Sequence, residues 1–97
     1  MSALATLTSS GSWAESVSVK DIGMVDLDTY SCQNTSSSYL HRVCYDSRRG
    51  QLVLLLNNTY YQHCNVPPST IQSLLSASSK GTYFDRNIRG RYGCQVH

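Results

Sequence analysis

The sequence predicts an α+β fold: a small three-stranded antiparallel meander packed by one C-terminal helix plus a second short helix. Three observations predict it. Short β-favouring runs between residues 40 and 64 are separated by turn residues, the pattern changes abruptly at Val66-Pro67-Pro68, and beyond that point apolar side chains recur at helical spacing as far as Ile88. A chain of 97 residues holds no more than one domain. Its expected divisions are a leader-like or disordered tail over 1–14, an acidic lead-in segment over 15–29 and a folded domain over 30–97.

The first predicted strand is Leu40 to Asp46, and Ser47-Arg48-Arg49-Gly50 supplies the turn that follows. Residues Leu52 to Leu56 are apolar at five consecutive positions, so the second strand, from Gln51, is expected to be covered on both faces. Asn57 and Asn58 tolerate positive φ and lead into a third strand, Thr59 to Cys64, rich in β-favouring side chains.

Prolines cannot donate to a sheet ladder but serve well in the first turn of a helix. Ser69 and Gln72 match a capping box, and Ile71, Leu74, Leu75 and Ala77 form an apolar stripe behind them. Gly81 after Lys80 is the expected left-handed helix stop. A further short helix is expected from Thr82 to Arg89, with Tyr83, Phe84 and Ile88 inward, Arg86 and Arg89 sharing an outer face, and Gly90 ending it.

Cys32, Cys44, Cys64 and Cys94 are an even set in a small domain, where each cross-link adds about 2–4 kcal/mol in the chain-entropy picture. Three pairings are open, and the sequence does not separate them. Buried free thiols and a zinc site are the rival readings, with His41, His63 and His97 as nitrogen donors. Against zinc, no two of these residues form the closely spaced clamp that structural zinc sites use. No metal or other cofactor is expected.

The amino end fits the tail of an export leader. Small or weakly apolar residues run to Ser12-Trp13-Ala14 before Glu15, the small-x-Ala pattern of a cleavage site, but a positively charged start is missing. The expectation is a native start upstream of Met1 and a periplasmic or secreted protein, the alternative being a cytoplasmic protein with a Ser-rich tail. No apolar run approaches the length of a membrane span.

Residues 1–36 carry a balance of −3 and residues 37–97 a balance of +5, which points the second half toward an anionic partner. Lys80, Arg86, Arg89, Arg91 and Tyr92 are the candidate binding residues, cations that could meet phosphates beside an aromatic that could stack on a base. Catalysis finds no support. His63 and Cys64, adjacent in a strand, point to opposite faces, and Asp46 opens a turn where aspartate bonds backbone amides. Ser37 and Ser38 precede a strand, where hydroxyls satisfy loop amides.

From Ser37 to Tyr92 the chain resembles a KTSC domain, the small module named for its occurrence at the C-terminus of some lysyl-tRNA synthetases. The resemblance rests on Ser37-Ser38, Val43-x-Tyr45-Asp46, the aromatic third strand, Val66-Pro67, Leu74-Leu75, Ser79-x-Gly81-x-Tyr83-Phe84 and Asn87-Ile88-Arg89. Asp85 departs from the family pattern, which has asparagine there. The four cysteines resemble those of stand-alone members that are exported. The family brings no established reaction. The resemblance therefore implies a KTSC-like domain over 30–97 that is non-enzymatic, an exported protein-binding or structural module with an unknown protein partner. The alternative is nucleic-acid binding, to RNA or a single strand, through the C-terminal basic helix.

Overall fold

The computed structural model describes residues 15–94. The leader-like segment 1–14 with Ser12-Trp13-Ala14, and His97 as a zinc donor, lie outside the described residues. The α+β class holds, but the sheet is larger than a meander. It has six strands: β1 (Ser16–Val19), β2 (Gly23–Asp26), β3 (Ser31–Asn34), β4 (Leu40–Asp46), β5 (Gln51–Leu56) and β6 (Thr59–His63). Two helices follow, α1 (Pro68–Ser76) and α2 (Lys80–Asn87).

The predicted meander is β4-β5-β6, lying inside the spatial order β2-β1-β6-β5-β4-β3. Neighbours pair antiparallel except β1 and β6, which run parallel and meet at Val19 and Tyr60. The added strands come from residues 16–34, where the short alternation Ser16-Val17-Ser18-Val19 buries both valines and exposes both serines. Asp21 at φ 65° and Gly23 at φ 104° turn the chain into β2. The amide of Lys20 donates to the Tyr60 carbonyl at 2.9 Å and fastens this hairpin beside β6.

Strand β5 is covered on both sides, as its apolar run requires. Leu52, Leu54 and Leu56 join Leu40, Val43, Val66, Ile71, Leu74, Phe84 and Ile88 in a core under the helices. Val53, one step out of phase, joins Val17, Val19, Leu27 and Cys44 in a second core on the other face. A leucine as fully enclosed as Leu54 contributes about 2 kcal/mol by burial alone. A bulge at His41 shifts the β4–β5 register, so Leu40 and Val43 both reach the helix-side core.

Two local expectations are corrected. Helix α1 has Pro67 at its N-cap and Pro68 at its first position, with no side-chain cap, so Ser69 and Gln72 form no capping box. Pro68 already has the helical φ and has no N–H to satisfy, which lets the helix begin one residue before Ser69. Nor is Gly81 a helix stop. The chain leaves α1 through Ala77 in an extended conformation (φ −67°, ψ 140°), and Gly81 is the second residue of α2. The cap of α2 is Ser79, whose hydroxyl accepts from the Thr82 amide at 3.3 Å. Gly90, at φ 78°, follows the helix end as expected.

Candidate functional site

The four cysteines form two disulfides, Cys32–Cys44 and Cys64–Cys94. Cys32 and Cys44 face each other across β3 and β4, while the second bridge ties the end of β6 to the segment after α2. Beside it the Cys64 amide donates to the Tyr92 carbonyl at 2.8 Å. The bridges leave no cysteine among the described residues as a thiolate ligand or nucleophile. Among the described residues, no group of three or more His, Cys, Asp or Glu side chains gathers to hold a metal.

The five expected binding residues do not form one patch of equal character. Lys80 is half-buried and its Nζ donates to the Ala77 carbonyl at 3.2 Å, closing the turn between the helices. Tyr92 is half-buried and packs against the helix-side core. Arg86, Arg89 and Arg91 are exposed. Arg89 faces Asp85 one helical turn back, at 3.5 Å with a side chain 68% exposed, a geometry that binds weakly.

Arg89 also lines a pocket of about 140 Å³ with Tyr39, Leu56, Tyr61, His63 and Phe84. Each wall is set by the fold. Phe84 belongs to the inner face of α2 and is 2% exposed. Tyr61 and His63 stand two apart on β6, opposite Leu54 and Leu52. The His63 ring meets Phe84 edge to face at 5.5 Å, and burial holds its imidazole below the ordinary histidine range. Its Nδ1 is buried without a hydrogen-bond partner among the described residues.

Tyr39 is held at the pocket by its backbone. Ser37 Oγ accepts from the amides of Tyr39 and Leu40 at 3.2 and 3.1 Å, the role expected of a hydroxyl before a strand. The Tyr39 carbonyl accepts from Asn57 at 2.9 Å. Beside this loop a polar cleft of about 280 Å³ runs between Ser36–Ser38 and Ser78–Lys80.

The other sheet face carries a wider, open groove of about 500 Å³ between β2 and the side chains of Tyr30, Arg49, Gln51 and Gln62. Its polar groups are largely engaged with one another. Tyr30 Oη and Gln62 Nε2 both donate to Gln51 Oε1, at 3.0 and 3.1 Å. Arg49 donates to Asp46 at 2.8 Å and lies 5.9 Å from the centre of the Tyr30 ring. Asp46, 2% exposed, accepts further from Thr29 at 2.8 Å and from the Arg48 amide at 3.0 Å. Burial alone would raise its pKa, but these donors prevail and hold the carboxyl below its ordinary value. It is a structural carboxylate, as its place in the turn implied.

The pocket at Arg89 was only partly legible in sequence. Arg89 is a cation near aromatics in the sequence, but Tyr39 comes from the loop before β4 and Tyr61 and His63 from β6, between 26 and 50 residues away. Nothing local marks them as partners of α2.

A crystal structure of a KTSC domain protein from Yersinia pestis superimposes with a TM-score of 0.64 at 32% identity, covering 70% of this chain and 97% of that one. None of the curated proteins is significantly similar. The family profile of the KTSC domain matches residues 36–92, which span β4-β5-β6, both helices and every wall of the pocket, and the chain belongs to the KTSC domain family.

Proposed function

We propose that the protein is an exported, non-enzymatic module that binds a protein partner, with the pocket at Arg89 as its recognition point. The observation that carries export is the pair of disulfides, one on the sheet and one after α2, with no free cysteine among the described residues, and the recognition point is read from the pocket that Arg89 shares with aromatic walls. Such bridges persist in oxidising compartments and not in the reducing cytosol. In a small domain each bridge adds about 2–4 kcal/mol to what the core supplies. The non-enzymatic part of the reading is supported by the bridged cysteines, by the four donors that engage Asp46, and by the packing of His63 on Phe84.

Thiol titration of protein purified from its native host under denaturing, non-reducing conditions tests export. The expected result is no free thiol, and four free thiols overturn export. A second reading is favoured by the exposed guanidinium groups of Arg86, Arg89 and Arg91, which suit a phosphate backbone. It requires single-strand binding that falls steeply with salt and is lost in Arg86→Ala with Arg89→Ala; binding that is absent or indifferent to salt excludes it.

A further inference from the structure

We propose that the pocket at Arg89 takes the C-terminal residue of a partner polypeptide when that residue is aromatic, its ring entering the pocket and its α-carboxylate meeting the Arg89 guanidinium. The inference rests on the protein-binding reading and names the chemistry of the partner.

Size comes first. The pocket holds about 140 Å³. A cavity of about 150 Å³ is enough for one benzene ring, whereas pockets that enclose a whole small-molecule ligand run to about 300–1,000 Å³. One ring fits and little more does. A site that buries a single ring while the rest of the ligand lies outside is the anchor pocket of a larger interface.

The walls agree with the size. Three half-buried rings, Tyr39, Tyr61 and His63, line it, and the nearly enclosed Phe84 and Leu56 close it. A ligand ring therefore meets edges and faces of other rings, an arrangement worth about 0.5–1.5 kcal/mol per pair beyond burial. The one charged wall is Arg89. Its pairing with Asp85 is long, at 3.5 Å, and both partners are exposed, at 68% and 45%. A terminal carboxylate a few bonds from the ring replaces that contact with a bidentate one at small cost. Exposed Arg86 and Arg91 lie close in sequence and have no carboxylate partner among the described residues, so the local field favours an anion. Capture of a free C-terminus is an established mode of peptide recognition.

The same features discriminate against a nucleobase. Single-strand binders stack successive bases on open aromatic platforms. Here Phe84 is 2% exposed and the other three rings are half-buried, so the aromatics form the inside of a pocket and not a platform.

Two-dimensional NMR titration of the whole protein decides the matter, with four probes: the peptide Gly-Gly-Gly-Phe as free acid, the same peptide as C-terminal amide, benzoate, and oligouridylate. The free acid is expected to shift the resonances of Tyr39, Tyr61, His63, Phe84 and Arg89 and to bind about tenfold more tightly than the amide. Arg89→Gln is expected to erase that preference while the spectrum stays dispersed and the melting temperature is kept. Equal binding of acid and amide, a preference that survives Arg89→Gln, benzoate binding as tightly as the peptide, or no shift at the pocket with millimolar peptide each overturn the inference. Those outcomes leave export untouched, which thiol titration tests separately. Oligouridylate shifting the pocket in place of the peptide overturns both the inference and the protein-binding reading.

Discussion

A methyl group added at Gly81 would stand 2.9 Å from Cδ2 of Tyr39, and 3.6 Å from its Cβ, closer than packed side chains come. Helix α2 therefore carries a glycine at its second position for the sake of a neighbouring ring. Elsewhere in a helix, glycine to alanine gains about 0.5–1 kcal/mol, but overpacking costs about 1–3 kcal/mol. Gly81→Ala is expected to lower stability by about 1 kcal/mol in urea denaturation. Made in a Tyr39→Ala background, the same change is expected to raise stability. An unchanged sign in both backgrounds would show that the ring is not what excludes a side chain here.

The two bridges close loops of different length, 12 residues for Cys32–Cys44 and 30 for Cys64–Cys94. The chain-entropy relation gives about 3 kcal/mol for the shorter loop and about 3.5 kcal/mol for the longer. Each pair changed to alanine is expected to lose stability in that order, measured by denaturant titration under oxidising conditions. The Cys64–Cys94 variant should also lose protection of the Cys64 amide from hydrogen exchange, since its acceptor is the Tyr92 carbonyl that the bridge holds in place.

The meander and both helices were legible because each has a strong local signal: five consecutive apolar residues at Leu52–Leu56, turn residues on either side, and prolines where the period changes. The three amino-side strands were not read, although Val17 and Val19 alternate with serines and Asp21-x-Gly23 marks a turn. Strands of four residues carry too few alternations to stand out, and their stability comes from pairing with β6 and β4, which no local pattern reveals. Gly81 shows the opposite failure. A glycine after a helical stripe reads as a stop when only local conformation is weighed, whereas its reason is Tyr39, forty-two residues earlier. The pocket failed to declare itself for the same cause, because its walls are brought together by sheet register and helix docking.

His63 gives the domain a dependence on mildly acidic pH. Burial lowers its pKa from the ordinary 6.5, so the unfolded chain takes up the proton first. The stability that the neutral imidazole contributes is fully present above pH 6.5 and is lost as pH falls from there through the folded pKa, with a slope of at most about 1.4 kcal/mol per pH unit. His63→Gln removes the titrating group. Chemical denaturation at a series of pH values from 7.5 to about 5 is expected to show a declining stability in the parent and a flatter line in the variant. Parallel lines would mean that His63 keeps its proton equilibrium on folding.

Below that window the carboxylates take over, and Asp46 and Glu15 should behave differently because their surroundings differ. For Glu15 the bidentate contact to Arg42, at 2.6 and 2.9 Å, holds the carboxyl below its ordinary 4.5. The side chains are 20% and 41% exposed for Arg42 and Glu15, so solvent and salt screen the pair, and Glu15→Gln is expected to cost under about 1 kcal/mol, less in high salt. Asp46 is enclosed, and its removal strands the Arg48 amide and the hydroxyl of Thr29 as well as Arg49. Asp46→Ala is therefore expected to cost about 2–3 kcal/mol at neutral pH with little response to salt. Both folded pKa values lie below the unfolded ones, so both contributions are present above about pH 4.5 and vanish as pH falls through the folded values. The gap between parent and Asp46→Ala should accordingly narrow on acidification below pH 4, while the Glu15→Gln gap, small at the start, closes first with added salt. An Asp46→Ala penalty that stays constant down to pH 2 would show that the carboxyl accepts its hydrogen bonds in the protonated form and that the ionised turn is not what it stabilises.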